Sequence, residues 1–180
     1  WAEKSGMIGS VGDNTWNGFN VLHTAAARVA ALDMGFVPQQ GGRDRDDIIK
    51  GCAAGDIEVL YLLGADEMDM QKLGKAFVIY QGHHGDAGAH RADVVLPGAA
   101  YTEKDGIYVN TEGRVQLAWR ATFPPGDARE DWTILRALSE KMDRTLPFDN
   151  LDQLRQKLVF AYPSFANVDQ LPKTTWQAIT

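Results

Sequence analysis

Three loop segments carry most of the side chains that could do chemistry. They are GADEMD at 64–69, QGHHGDAGAH at 81–90 and PGAAYTEKDG at 97–106. Each directly follows a short apolar run, which predicts that each begins where a strand ends. In an open parallel sheet, ligands bind in the crevice beyond the carboxyl ends of the strands. These three segments are therefore where a site is expected.

The second segment holds the residues closest to a metal-binding set, namely His83, His84, Asp86 and His90. Imidazole and carboxylate groups bind zinc or iron, and a histidine can shuttle protons near neutral pH. Adjacent side chains in an extended segment point apart, so His83 and His84 are poorly placed to share one ion. We therefore predict no metal site, and expect these histidines to bond to the loop or to a partner.

The first segment offers Gly64, Asp66 and Glu67, which could meet the ribose or diphosphate of a nucleotide. Glycine allows close backbone approach, and a carboxylate accepts hydrogen bonds from hydroxyls. The segment lacks G-x-G-x-x-G, and the chain has no G-x-x-x-x-G-K-[ST] phosphate loop. A plain turn with a helix-capping acid is the favoured interpretation.

The third segment and the residues after it form the remaining polar group. Paired carboxylates act as acid and base only where burial and separation move their pKa values apart. A lysine between two acids is more typical of a solvated or locally paired loop, so we predict no catalytic residue here. The group comprises Glu103, Lys104, Asp105, Asn110, Glu112 and Arg114.

The elements that position these loops follow from the hydrophobic pattern. A first helix is predicted over 14–34, ending at Gly35, and a short helix with Ile48, Ile49 and Cys52 on one side, ending at Gly55. Continuous apolar runs at 57–63, 76–80 and 92–96 predict three strands, with a brief helix between the first two. Such runs are typical of a parallel sheet covered on both faces.

Beyond the third strand, the pattern predicts a hairpin and two helices. IYVN and GRVQLA pair through the turn at 110–113. Capping-box-like sequences at 127–130 and 150–153 predict the two helix starts. The fold class is therefore α/β, a parallel sheet with a small hairpin and C-terminal helices.

Composition excludes several classes of function. Of 180 residues 44% are hydrophobic and 23% charged, and no apolar run is long enough to cross a membrane. The net charge of −6 disfavours nucleic acid as a partner. Cys52 is the single cysteine, so this chain alone forms no disulfide, four-cysteine zinc site or four-cysteine iron–sulfur cluster. We expect Cys52 to be a small core residue. The start at Trp1 suggests a fragment or a processed piece.

A resemblance extends this interpretation. ADVVLPGAAYTEKDGIYVNTEGRVQ at 92–116 resembles the late part of the molybdopterin oxidoreductase superfamily, where an A-D-V-V-L-P strand precedes E-K-x-G, N-x-E-G-R and Q. YQGHHGDAGAHRAD lies before it, and PPGDAREDWTILRALSE and TLPFDNLDQLR lie after it. With these, the chain resembles the complex I branch, specifically the C-terminal region of the large, 75-kilodalton iron–sulfur subunits of NADH:quinone oxidoreductase. The resemblance runs from about residue 17 to residue 158.

The resemblance implies a partial α/β domain with Rossmann-like layers over 1–160 and an extended tail over 161–180. It implies a scaffold that retains the superfamily fold without the metal–pterin cofactor. Glu103, Lys104, Asn110, Glu112 and Arg114 would then form a vestigial pocket or hairpin network, none of them catalytic. No cofactor is expected in this segment, while the parent subunit would carry 2Fe-2S and 4Fe-4S clusters in an N-terminal region.

The implied partners are the other peripheral-arm subunits of complex I and the cluster-bearing part of the same subunit. The implied location is the matrix side of the mitochondrial inner membrane or the cytoplasmic side of a bacterial inner membrane. Two alternatives stay open at this point. One is a fragment of an active molybdopterin oxidoreductase resembling formate dehydrogenase, and the other is a free-standing α/β ligand-binding module.

Overall fold

The computed structural model describes most of the chain. It covers residues 8–11, 14–17, 22–23, 25–26 and 28–170, the first two ranges as backbone only. The described residues belong to two compact units, one within 37–106 and 119–156 and the other within 1–36, 107–118 and 157–180.

The first unit contains the parallel sheet and most of the helices. In chain order its elements are α2 (Arg45–Ala54), β3 (Val59–Leu63), a 3-10 helix (Met70–Leu73), β4 (Phe77–Gly82), α3 (Ala87–Arg91), β5 (Val94–Pro97) and α4 (Asp131–Lys141). The second unit contains β1 (Ile8–Val11), β2 (Asn14–Asn17), α1 (Arg28–Asp33), β6 (Gly106–Val109, from Ile107 onward), β7 (Val115–Ala118) and a 3-10 helix (Pro163–Ala166). Helix α5 (Leu151–Ala161) runs across the boundary at Gln156.

The three-stranded sheet has the order β3-β4-β5, and both pairings are parallel. Leu62 lies opposite Tyr80, and Gln81 lies opposite Leu96. The predicted strands and their parallel arrangement are thus confirmed, with shifts of one or two residues at their ends. The α/β fold class is confirmed with them.

One face of this sheet carries the core of the first unit. Leu62, Val78 and Tyr80 point to this face and are almost completely buried. Cys52 of α2 and Leu73 of the 3-10 helix pack against them. Helix α2, which precedes β3, and the 3-10 helix, which lies between β3 and β4, therefore cover the same face of the sheet.

The opposite face is largely open. Val59, Leu63, Phe77 and Val94 point to it and keep between 38% and 59% of their surface exposed. This face is covered over Gln81 of β4, which is fully buried. Parallel sheets are normally covered on both faces. We predicted a sheet covered on both faces. Within the described residues, one face is covered and the other is largely exposed.

Helix α2 illustrates how the local sequence sets an element. The Asp44 side chain accepts a hydrogen bond from Asp47 N at 2.9 Å, which satisfies one of the free amides at the helix start. Gly55 follows the helix with φ of +85°, in the left-handed region. The predicted stop of this helix at Gly55 is confirmed, while its start at Arg45 was not predicted.

The second unit is built on the β6–β7 hairpin, which is confirmed. Val109, Val115 and Phe165 form its buried core, with Leu158 and Tyr162 packed beside them. Residues 163–166 of the predicted extended tail form a 3-10 helix, and Phe165 is 2% exposed. Residues 171–180 of that tail lie outside the described residues.

The prediction of one helix over 14–34 is wrong. Residues 14–17 form β2, antiparallel to β1, and the helix α1 begins only at Arg28. The run Asn14-Thr15-Trp16-Asn17 consists of weak helix formers, and pairing with β1 satisfies its backbone instead. The intervening residues 18–21 lie outside the description. The predicted end is correct, since Gly35 follows with φ of +63°.

The predicted helix start at 127–130 is also wrong, because α4 begins at Asp131. The backbone of Arg129 is used instead in a parallel bridge with Gly98. That bridge holds 127–130 out of the helix. The start at 150–153 is confirmed, and Asn150 Oδ1 accepts from Gln153 N at 2.9 Å.

Candidate functional site

Four polar side chains, of which Gln81 is fully buried and the others are partly exposed, form a hydrogen-bonded chain at the carboxyl end of β4. Gln81 is 0% exposed, and its Nε2 donates to Asp131 Oδ1 at 2.8 Å. Its Oε1 accepts from the Tyr61 hydroxyl. Lys104 Nζ in turn donates to Asp131 Oδ2 and completes the chain Tyr61–Gln81–Asp131–Lys104. These four side chains are called the strand-end network below.

The two charged side chains of the strand-end network, Lys104 and Asp131, form an ion pair that is partly shielded from solvent. The side chains of Lys104 and Asp131 are 24% and 30% exposed. Asp131 is also the first residue of α4, where a negative charge is favoured by the helix dipole. Burial, and secondly the charge of Asp131, raises the pKa of the Tyr61 phenol. The phenol therefore keeps its proton and can donate to Gln81.

The glycine of the Pro-Gly pair, Gly98, directly follows β5 and packs closely against this network. Gly98 N donates to Gly82 O at 2.8 Å, and Ala99 N donates to Arg129 O at 2.8 Å. A Cβ atom at Gly98 would lie 2.9 Å from Asp131 Oδ1. The Asp131 side chain thus occupies the space beside Gly98.

A cleft of about 450 Å³ opens beside Gly98. Its charged lining side chains are Glu103 and Asp127, and His83 and His84 also line it. Glu103 Oε2 accepts a hydrogen bond from Ala100 N at 2.9 Å, which is a local contact within the loop after β5. The predicted crevice beyond the strand ends therefore exists, and its charged lining is acidic.

The histidines of the second segment do not converge on a metal-binding geometry. The rings of His83 and His84 meet edge to face with centroids 4.4 Å apart, and both side chains are exposed. Asp86 and His90 are exposed as well. Across the ranges described above, no three His, Cys, Asp or Glu side chains are grouped to hold a metal ion.

Asp66 of the first segment joins two loops. Its Oδ2 accepts from Gly88 N at 3.1 Å, which ties the first segment to the second. The side chain that caps the following 3-10 helix is Asp69, through Gln71 N. The helix-capping role expected in this segment therefore belongs to Asp69. Glu67 is exposed.

The five candidates for a vestigial pocket fall in both compact units. Glu103 and Lys104 belong to the unit with the parallel sheet, and the other three belong to the hairpin unit. In the hairpin, Asn110 Oδ1 accepts from Glu112 N and from Arg114 N, each at 3.0 Å. Arg114 Nη2 donates to Asp169 O at 3.3 Å. Asn110 and Arg114 thus have structural contacts of their own, while the side chain of Glu112 is exposed.

Three members of the strand-end network, Tyr61, Gln81 and Asp131, were not predicted from the sequence. One signal was available, because Gln81 is the first polar side chain after the apolar run AFVIY. Its partner Asp131 is 50 residues away, and no local pattern relates the two. Cys52 was predicted correctly as a core residue, being 1% exposed. Burial raises the pKa of its thiol.

The parallel sheet and its polar strand end define an α/β protein of the kind whose site is built from loops at the carboxyl ends of strands. A family model described as molybdopterin oxidoreductase matches residues 2–141. The chain belongs to the molybdopterin oxidoreductase family.

Similar proteins give a more specific grouping. The chain is 54% identical over 144 residues to the mitochondrial NADH-ubiquinone oxidoreductase 78 kDa subunit of Candida albicans, covering 79% of this chain and 18% of the relative. It is 46% identical over 156 residues to a subunit of the NADH-quinone oxidoreductase of Rickettsia bellii, covering 87% of this chain and 21% of that protein. The chain thus spans about a fifth of the length of these curated relatives.

One solved structure, acetylene hydratase from Pelobacter acetylenicus, matches with a TM-score of 0.48 and 18% identity. The match covers 55% of this chain and 16% of that structure.

The family name implies a pterin cofactor, and the charged side chains at the described strand end do not fit the phosphate of such a cofactor. Pterin cofactors of this kind carry phosphate, which requires free cationic or N–H donors. Here Lys104 and the Gln81 amide donate to Asp131, and Ala100 N donates to Glu103. The charged side chains lining the cleft are carboxylates, which repel phosphate.

Proposed function

We propose that this chain is a segment of the large iron–sulfur subunit of respiratory complex I, the NADH:quinone oxidoreductase. The observation that carries the proposal is the identity of 46% to 54% with complex I subunits over most of this chain. The parent complex transfers electrons from NADH through iron–sulfur clusters to quinone and couples this transfer to proton translocation. The enzyme activity belongs to that complex.

Within the complex, the segment serves as a scaffold. The strand-end network supports this role, because its polar groups bond to each other and join α4 to the carboxyl end of the sheet. The open face of the sheet supports it as well, since Val59, Phe77 and Val94 are apolar surface that a larger subunit would bury. The segment thereby holds its neighbours in register.

The partners of the segment are the cluster-bearing part of its own subunit and other peripheral-arm subunits. The 2Fe-2S and 4Fe-4S clusters lie in that other part, because Cys52 is the single cysteine of this chain and is buried among apolar residues. The segment itself has no catalytic, metal-binding or cofactor-binding residue in this proposal.

The location is the peripheral arm, on the matrix side of the mitochondrial inner membrane or the cytoplasmic side of a bacterial one. The two relatives named above are a mitochondrial subunit and a bacterial one. Among the described residues, no helix has the length and apolar content needed to cross a bilayer.

Glu103, Lys104, Asn110, Glu112 and Arg114 are the remains of a cofactor-like pocket in this proposal. The contacts of Lys104 with Asp131 and of Asn110 with its own turn support a structural use of these positions. The domain is proposed to extend over 1–160 with a tail over 161–180. The family match over 2–141 supports the larger part of that division.

The deciding experiment is metal and pterin analysis of the purified assembly that contains this chain, together with its NADH oxidation. Iron without molybdenum or tungsten, combined with NADH oxidation linked to a quinone acceptor, is the expected result. Molybdenum or tungsten bound with a pterin would instead assign the chain to an active molybdopterin oxidoreductase. A stable, monodisperse isolated chain with neither activity would favour a free-standing ligand-binding module.

A further inference from the structure

We draw no further inference here: the strongest candidate, the cleft of about 450 Å³ beside Gly98 with Glu103 and Asp127 in its lining, belongs to the site already described, and no second feature of the described residues shows which ligand its two carboxylates would hold.

Discussion

Gln81 and Asp131 are 50 residues apart in the chain, yet Gln81 Nε2 donates to Asp131 Oδ1 at 2.8 Å. The bond joins the carboxyl end of β4 to the first turn of α4. Because Gln81 is completely buried, water cannot replace this partner if it is lost. The pair therefore fixes where α4 begins on the sheet.

Gln81→Leu should lower the free energy of unfolding by about 1–3 kcal/mol, because it leaves the Tyr61 hydroxyl and one Asp131 oxygen without their buried partner. Urea denaturation followed by circular dichroism measures the change. Gln71→Leu is the matched control at an exposed position and should change the free energy by less than about 0.5 kcal/mol. Equal effects of the two substitutions would contradict a structural role for the network.

Gly98→Ala should lower the free energy of unfolding by about 1–3 kcal/mol, since its Cβ would lie 2.9 Å from Asp131 Oδ1. Gly85→Ala is the control, because a Cβ there meets nothing within 4 Å. The cost of Gly98→Ala should be smaller in an Asp131→Ala background, where the crowded oxygen is gone. Strictly additive costs in this double-mutant cycle would argue against direct crowding between the two residues.

In the complex I assembly proposed above, substitution of Pro97 or Gly98 should reduce the amount of complex more than the turnover of each assembled complex. The reason is that both residues pack the strand end and neither is proposed to touch a reacting group. Quantitative immunoblotting of native gels gives the abundance, and the rate of NADH oxidation divided by that abundance gives the turnover. Normal abundance with lost turnover would place these residues in the chemistry and refute the scaffold role.

Stability should fall as the pH rises above about 10. Burial is the main reason that the pKa values of Tyr61 and Tyr80 are raised, and nearby carboxylates add to it. A raised pKa means that the folded state holds the phenol proton more tightly than the unfolded state does. The resulting stability is present below the unfolded pKa and is lost as the pH rises through the folded pKa.

Urea titrations at increasing pH test this dependence. The combined variant Tyr61→Phe and Tyr80→Phe should lose less stability across the alkaline range than the unchanged chain, because it lacks both phenols. Gln71→Leu, measured in parallel, should keep the original slope. An identical slope in all three proteins would show that these phenols do not cause the alkaline loss.

Gly113→Ala should destabilise the hairpin unit by about 1 kcal/mol, because Gly113 has φ of +80° in the turn between β6 and β7. Asn110→Ala should have a similar cost, since the Asn110 side chain accepts two backbone hydrogen bonds there. Glu112→Ala, in the same turn but exposed, is the control. Thermal unfolding of the three variants provides the comparison, and a control as unstable as Gly113→Ala would refute the turn argument.

Local sequence patterns predicted those parts of the fold that depend on neighbouring residues. The strands β3 to β5 follow from short apolar runs, and the stop at Gly55 follows from a glycine just after the last helical residues. The start of α4 could not be predicted this way, because the bridge between Gly98 and Arg129 displaces the local capping signal. The strand β2 was missed because its pairing with β1 overrides a helical spacing of apolar residues.

The sequence predicted where the candidate site lies, but it identified only one of the four residues in the strand-end network. Topology alone places loops at the carboxyl ends of parallel strands, and the cleft beside Gly98 is there. Lys104 was singled out, but its role depends on Asp131, which is 27 residues further along the chain. Long-range pairs of this kind leave no periodic signal, so Tyr61, Gln81 and Asp131 could not be grouped from the sequence.

Successive side chains of β4 point to opposite faces of the sheet, so Gln81 also helps to fix the register in which β4 pairs with its neighbours. A slip of one residue would turn Gln81 toward the apolar face now formed by Leu62 and Val78, and would turn Tyr80 outward. A buried amide without partners on that face carries a large desolvation cost. One polar side chain at the end of an apolar strand thus disfavours the sheet in which β4 is slipped by one residue.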